Sequence, residues 1–478
     1  RKEVALAFDF ELLGTTHTLK GRADGVVERP MEVTLEEYKC TRTLPEKPQP
    51  VDWGQAVIYG GLWAHTHAQE TVEVSLVYVE PEGLTERAFS QIFTREAAAA
   101  CLTFMLACVQ ARVSRHRARV AARETWSEGL DFPYPDYRPG QRAIARRTFV
   151  ALKNRENLLL EAPTGSGKTM AILYPAVRAQ KADEQLFFLT GRTSGARAAL
   201  DGALDLDPEG GHLTTVELTA KEKVCFVEGM PCDADACPYA KGYFDRAPDA
   251  VDALLETGFA DRNTVEDVAR QHTVCPFEIS LDAALWADLI VGDYNYAFDP
   301  VVRLQRFNGH PDLHLLIDEA HNLSPRAQDM LAVEIDRRVI RGAKASAGVL
   351  EKPLASIDRA LMKIRRSVGE GEHATDDVAS LERALKRLTE AAAEIELDEE
   401  QDALREALFA AHRWQRSTQW YDSQRFVHLA DVQGRNIVLR RTCLDPARHT
   451  AGIMAEHAGV VRFSGTVSPL PLYQRLHG

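Results

Sequence analysis

Several things are scarce in this 478-residue chain, and each scarcity closes off a class of protein. Only 8 cysteines are spread over that length, too few for a disulfide framework of the secreted kind. Cys40, Cys101, Cys108 and Cys443 lie in apolar or strand-like surroundings, where buried small hydrophobes are expected. No long uncharged apolar run stands out, so no bilayer span and no membrane partner are expected. The opening "RKEVALAFDFELLG" has Asp9 and Glu11 where a secretory signal would be apolar, which makes a cytoplasmic setting the expectation. It also lacks an initiator Met, as a fragment or processed chain would. Positive charge is short as well: 57 Lys and Arg against 70 Asp and Glu leave a formal charge of −13. Such a chain does not coat nucleic acid by bulk charge, although a local basic groove stays open to it. Fixed-period repeats are absent too. What is left is the composition of a globular chain long enough for roughly two to four domains.

Residues 1 to about 80 alternate in the strand manner, as in "HTLKGRADGVVE" and "EVTLEEYKC", around one segment of helical spacing, "VDWGQAVIYGGLWAH". An Ala- and Arg-rich helix is expected over about 93–125, followed by a Pro- and Gly-rich junction, "EGLDFPYPDYRPGQ". From there to about 325, the apolar runs "NLLLEA", "QLFFLT", "ADLIVG" and "HLLIDEA" alternate with helical stretches. That pattern predicts a parallel sheet covered by helices on both faces. Between about 326 and 435 the pattern is almost purely helical, and the strand type returns only in "VVRFSGT". A helical insertion inside an α/β domain accounts for this order.

"NLLLEAPTGSGKT" places a strand, a glycine-containing turn, then Lys168 and Thr169 at the head of a helix. Small residues at Gly165, Ser166 and Gly167, with Thr164 before them, let backbone N–H groups wrap a phosphate. Lys168 then reaches the outer phosphates, and the Thr169 hydroxyl suits Mg²⁺. Ala162 stands where the strict pattern has its first glycine. "LHLLIDEAH" ends a second apolar strand in Asp318 and Glu319, one carboxylate to hold Mg²⁺ and one to polarise the attacking water. ATP binding and hydrolysis follow as the leading expectation. His321 either couples nucleotide state to the rest of the lobe or is an ordinary core histidine.

"EKVCFVEGMPCDADACPYAKGY" gathers Cys225, Cys232 and Cys237 in a C-x6-C-x4-C spacing, and Cys275 follows a helical stretch. Four thiolates suit a tetrahedral-sulfur metal centre, and spacing alone leaves zinc and a [4Fe–4S] cluster both open.

A four-cysteine insertion between a phosphate loop and a DEAH box resembles the XPD and DinG family of superfamily 2 helicases, which carry a [4Fe–4S] cluster there. The resemblance runs from about 131 to 478. "FPYPDYRPGQ" resembles the family's adenine-side motif with Gln141 in place, "LTGRTSG" its motif Ia, and "IVGDYNYAFDP" its Asn-Tyr segment. "RRTCLDP" and "VVRFSGTVSPL" resemble its return strand and motif III. The resemblance implies a 5′-to-3′ motor on single-stranded or branched DNA, an arch that closes with the cluster domain around one strand, and DNA-facing roles for Arg192, Thr193, Asn295 and Tyr296, with a place in the core nearly as open for Tyr296. It also implies a second RecA-like lobe, which does not follow "SGTVSPLPLYQRLHG" in this sequence.

"GRADGVVERPMEVTLEEYK" has Asp24 on one strand with Glu37 and Lys39 on the next, the last two on one face by strand period. Paired carboxylates suit Mg²⁺ or Mn²⁺, and a lysine stabilises charge that develops on a phosphodiester. Gln55 and Tyr59 share a helix face just downstream. The set Asp24, Glu37, Lys39, Gln55 and Tyr59 resembles the PD-(D/E)XK nucleases of the RecB type. The expected fold class is therefore α/β: a PD-(D/E)XK nuclease-like domain, then a RecA-like parallel-sheet helicase lobe with inserted iron–sulfur and helical arch domains. The expected boundaries are 1–125 for the nuclease, 126–222, 281–325 and 436–478 for the lobe, 223–280 for the cysteine domain and 326–435 for the arch. The rival expectation is a single-strand translocase or binding protein whose front domain is a degenerate nuclease used for docking.

Overall fold

The structure, a computed structural model, describes the chain except residues 1, 30, 31, 42, 43, 82, 84, 164, 231, 233–235, 308, 309, 345–347, 394 and 396–400. Two compact units divide it: residues 1–126 with 225–253 and 267–279, and residues 127–224 with 254–266 and 280–478.

In the first unit, β1 (Lys2–Leu12), β2 (Thr15–Glu28) and β3 (Glu32–Cys40) form an antiparallel meander. Helix Pro50–Thr66 then crosses over to β4 (Thr71–Glu80), which lies parallel to β3, and β5 (Thr85–Thr94) closes the order β1-β2-β3-β4-β5. Pro50 suits the first turn of that helix, where its missing N–H is no loss. The strand period turns Val33, Leu35, Val72, Val74 and Leu76 inward, where they pack with Leu62 and Trp63 of the helix. Glycine lets this helix approach closely: a Cβ on Gly60 would lie 2.7 Å from Val74 Cγ2, and one on Gly61 would lie 2.5 Å from Leu102 Cβ. The sequence pattern had not marked β5, because every residue on it is exposed or half-buried and no apolar face alternates.

Helix Arg95–Glu128 follows β5 directly. Contrary to expectation, it is long and apolar enough to cross a membrane by length and composition alone, with a mean hydropathy of 1.5 over its most apolar 18 residues, of which 11% are buried. Its basic half is tied to the cysteine-bearing segment of the same unit: Arg112 and Arg115 pair with Asp252 at 3.2 and 2.8 Å, and Arg112 also donates to the Pro248 carbonyl. The expectation of four buried stray thiols holds for Cys443 and in part for Cys101, which is half-buried against the core; Cys40 and Cys108 are exposed, because strand and helix periodicity turns them outward.

The second unit carries a seven-stranded parallel sheet: β6 (Asn157–Glu161), β7 (Gln185–Leu189), β8 (Thr215–Glu217), β9 (Phe259–Ala260), β10 (Leu289–Gly292), β11 (Leu313–Ile317) and a last strand, β16 (Gly459–Ser464). Their order is β6-β16-β11-β7-β10-β8-β9, and every pairing is parallel. At the edge where the strands begin, Glu184 is buried against His314 at 3.2 Å, with Arg155 bridging it to Asp312. The phosphate loop leaves the opposite, C-terminal end of β6, where ligands of open α/β sheets bind.

Between β11 and β16 the chain is not purely helical. Helices Glu351–Val368, Ala379–Ala392 and Asp402–Ser417 pack on a four-stranded antiparallel sheet of β12 (Val333–Asp336), β13 (Gly371–Ala374), β14 (Phe426–Gln433) and β15 (Asn436–Cys443), in the order β12-β15-β14-β13. They share one core running from Val333 to Leu439. "RRTCLDP" therefore begins within β15 of this inserted sheet, and β16 alone returns to the lobe. Arg441 of β15 is 1% exposed and joins the layers. It donates to His428 Nε2 at 3.1 Å, Ser417 Oγ at 2.6 Å and Glu382 Oε1 at 2.6 Å, with its guanidinium over the rings of Trp414 and Tyr421.

Candidate functional site

Two sets of side chains gather, one in each unit. In the first unit the β2–β3 ladder stops at Gly25↔Glu36, and there the Asp24 carboxylate accepts from the Tyr38 backbone N–H at 2.9 Å. Glu37, 4% exposed, and Lys39 point to the same side of β3. Lys39 Nζ donates to Glu37 Oε1 at 2.9 Å and to Gln55 Oε1 at 2.8 Å. Gln55 Nε2 donates in turn to the Tyr59 hydroxyl at 2.9 Å. Glu37, Lys39, Gln55 and Tyr59 thus make a continuous chain, with Asp24 beside it.

Glu37 Oε2 is buried and has no hydrogen-bond partner. Burial raises the Glu37 carboxyl above the usual carboxylate range; the Lys39 contact lowers it and the nearby Asp24 and Asp52 charges raise it. A buried carboxylate oxygen without a partner is a group that a cation or a protonated donor would satisfy, although Asp24 and Glu37 belong to no group of three or more His, Cys, Asp or Glu side chains among the described residues that could hold a metal ion. Two residues had escaped the sequence pattern. Tyr78, register partner of Lys39 on β4, donates to Asp52 Oδ2 at 2.7 Å and accepts from the Gln49 N–H, so the pair pins the start of the helix that carries Gln55. Burial and the Asp52 contact push the Tyr78 hydroxyl up to about 12. The only sequence signal was an acid one helical turn ahead of Gln55.

In the second unit Gly165 and Gly167 adopt φ of 79° and 70°, left-handed values that suit glycine, and Lys168 and Thr169 open helix Lys168–Ala179. Gln141 is buried and donates to the Gly167 carbonyl at 3.1 Å, while its own oxygen accepts from the Arg138 N–H. Arg138 also donates to the Gly165 carbonyl at 2.8 Å, so the adenine-side segment holds the loop from outside. Thr164 lies outside the described residues. Lys168 Nζ lies 3.5 Å from Glu319 Oε1, the acid at the end of β11.

Burial raises the Asp318 carboxyl to about 6, helped by Glu319 and opposed by the Glu319 N–H, Lys168 and Arg192. Buried Tyr294 donates to the Asp318 and Glu319 carbonyls and fixes that turn from below. His321 Nδ1 lies 2.7 Å from Ser464 Oγ and 3.3 Å from Glu319 Oε2, linking the DEAH segment to the end of β16.

Arg192 and Thr193 are exposed at the start of helix Thr193–Leu206, and Asn295 is half-buried, accepting from Arg326 at 3.3 Å. Of its two readings, Tyr296 takes the place in the core. At 5% exposure its ring is packed against Gly292 and lines an internal gap with Phe187, Leu304 and Phe307, which leaves no face for stacking a base.

Among the described residues no group of three or more His, Cys, Asp or Glu side chains could hold a metal ion, so Cys225, Cys232, Cys237 and Cys275 are not drawn into one ligand set. Burial raises the Cys275 thiol, against backbone N–H groups of Glu278 and Phe277 that favour its thiolate, and the nearby Cys232 adds to the rise.

Comparison with known proteins bears on residues 142–340, most of them in the second unit and the rest in the cysteine-bearing segments of the first. The DEAD/DEAH box helicase model matches residues 142–195 and the DEAD_2 model matches residues 212–340. A regulator of telomere elongation helicase 1 homolog from Caenorhabditis elegans is 25% identical over 251 residues, which are 43% of this chain and 25% of that protein. The XPD subunit of the general transcription and DNA repair factor IIH from Arabidopsis thaliana is 25% identical over 273 residues, 48% of this chain and 34% of that protein. A solved XPD helicase superposes with a TM-score of 0.50 at 18% identity, over 72% of this chain and 61% of that one. The α/β fold with its parallel sheet thus resembles XPD helicase lobes, and residues 142–195 and 212–340 are similar in sequence to DEAD/DEAH box and DEAD_2 helicases. The chain spans about a quarter to a third of the length of these curated relatives. Neither family model reaches residues 1–141.

Proposed function

We propose that the chain joins a metal-dependent deoxyribonuclease to the first lobe of an ATP-driven 5′-to-3′ helicase acting on single-stranded or branched DNA. The observation that carries the nuclease half is the orphaned Oε2 of buried Glu37 beside the chain Lys39–Gln55–Tyr59. In this reading Asp24 and Glu37 hold Mg²⁺ or Mn²⁺, which when bound supplies charge neutralisation at the phosphodiester and a more acidic attacking water. Lys39 stays protonated, because Glu37 and the acids around it outweigh the cost of burial. Its ammonium faces the charge that develops on the phosphate, while Gln55 and Tyr59 keep it aimed. Four connected polar side chains are more than a docking surface needs, which favours an active nuclease over a degenerate one.

In the lobe, backbone N–H groups of residues 165–168 and Lys168 take the nucleotide phosphates, Gln141 the adenine side, and Asp318 with Thr169 the Mg²⁺ that accompanies ATP. Glu319 orients water, and Arg192, Thr193 and Asn295 face the DNA. Cys225, Cys232, Cys237 and Cys275 are proposed ligands of a [4Fe–4S] cluster on their spacing and the helicase resemblance. Iron and acid-labile sulfide in oxygen-protected protein check that assignment, and the absence of both removes it.

The nuclease is tested with labelled single-stranded and flapped DNA, with Mg²⁺, Mn²⁺ or chelator present. Metal-dependent cleavage that Glu37→Gln removes is expected. Equal cleavage by Glu37→Gln overturns the assignment.

A further inference from the structure

The inserted domain carries a basic depression that neither active site uses. Arg337, Arg338, Arg341, Gly342, Arg435 and Asn436 line a hollow of about 390 Å³, with no apolar side chain among them. The arginines come from both sides of one sheet end: three from the start of helix Arg337–Ala343, just after β12, and Arg435 from the turn between β14 and β15. The hollow is built rather than incidental. Arg337, with a side chain only 12% exposed, is held by Asp358 at 2.7 Å and by the Arg435 carbonyl at 2.6 Å. Asp336 is spent on the Arg338 backbone N–H, the Arg338 guanidinium and Asn436. Asp358 also takes Lys344 at 3.1 Å. Arg338, Arg341 and Arg435 remain exposed, in a chain whose formal charge is −13.

Position matters as much as charge. The chain leaves the inserted sheet through Cys443, at the far end of the eight-residue β15. At about 3.4 Å per residue, the arginines lie some 25 Å along that strand from its return to the lobe. We propose that this distal hollow binds the phosphate backbone of a second stretch of nucleic acid, such as the duplex arm or displaced strand of a branched substrate, beyond the strand engaged at the lobe. Guanidinium forks match phosphate oxygens in pairs, and such contacts release counterions whatever the base sequence.

The test compares the full chain with the double variant Arg341→Glu/Arg435→Glu and with a charge-matched control, Arg383→Glu/Arg387→Glu, on the exposed face of helix Ala379–Ala392. Binding to a forked DNA and to a short single strand is measured across salt concentrations without divalent metal. The hollow variant is expected to lose at least about tenfold in fork affinity at low salt, and to flatten the fork's log–log salt slope by roughly 1.5 to 2. Short-strand binding, nucleotide binding and melting temperature stay unchanged, and the control variant keeps its fork affinity. An unchanged fork slope overturns the proposal. So does an equal loss in the control, which would reduce the effect to net charge, or an equal loss on the short strand, which would place the hollow on the main track. The readouts use no cleavage, so failure here and failure of the nuclease reading are separable.

Discussion

Burial pushes the Glu37 carboxyl up against the pull of Lys39, and its second oxygen goes unsatisfied, so at single-residue scale the front site is under electrostatic tension. Lys39→Ala is expected to slow metal-dependent cleavage by on the order of a hundredfold or more, as loss of a preorganised charge-stabilising donor does. Gln55→Ala, which only releases Lys39 on one side, is expected to cost roughly ten- to a hundredfold; single-turnover rates on labelled DNA check both. Asp318 makes the pH prediction. Its folded-state value of about 6 lies above its ordinary 3.8, so the folded lobe binds an extra proton between those values and loses stability as pH rises through about 6. Melting of nucleotide-free protein at pH 5 and pH 7.5 should show that loss, and Mg²⁺ with a nucleotide should reverse it. The residues of both sites were legible because their chemistry dictates type and spacing: a lysine two places after a glutamate, a lysine after a glycine turn. Tyr78 and Asp52 were not, since they meet only where the helix carrying Asp52 packs on β4, and the role of Tyr296 stayed open because an aromatic next to Asn295 looks alike in sequence whether it faces DNA or the core.

At the scale of elements, apolar runs such as "QLFFL" and "LHLLI" announced β7 and β11, whose residues are nearly all buried from both faces. Strands β8 and β9, three and two residues long, carry too little pattern to detect. The inserted sheet was hidden among helices, although β14 and β15 do alternate around the turn at Gly434. Arg441 shows what that sheet depends on. Arg441→Ala is expected to destabilise the inserted domain by about 3 kcal/mol, by stripping Ser417, His428 and Glu382 of a shared donor. Arg441→Lys recovers little, because one ammonium cannot reach all three; denaturant melts of the three proteins check this. At the edge where the strands begin, burial opposes ionisation of Glu184, but His314, the Lys181 N–H and Arg155 outweigh it and lower the carboxyl to about 2. That stability is complete above the ordinary value of 4.5 and is lost as pH falls through about 2. Glu184→Gln should therefore lower stability near neutrality and flatten the acid limb in that window.

For the whole molecule, the order of motifs pointed to a motor with a separate front domain, and the chain does carry its two candidate sites in different compact units. The helix Arg95–Glu128 was expected, but its apolar character went unread because alanines, not leucines, supply much of its hydropathy. Separate units predict separable activities: Lys168→Ala should abolish nucleotide binding, followed with a fluorescent ATP analogue, and leave cleavage of short single strands unchanged. The claim on which the nuclease rests is that Asp24 and Glu37 form a cation site, and Mn²⁺ titration of nucleotide-free protein followed by electron paramagnetic resonance reads it directly. The wild type and Lys168→Ala should bind an ion that Glu37→Gln and Asp24→Asn lack; identical titrations for all four proteins would contradict the account.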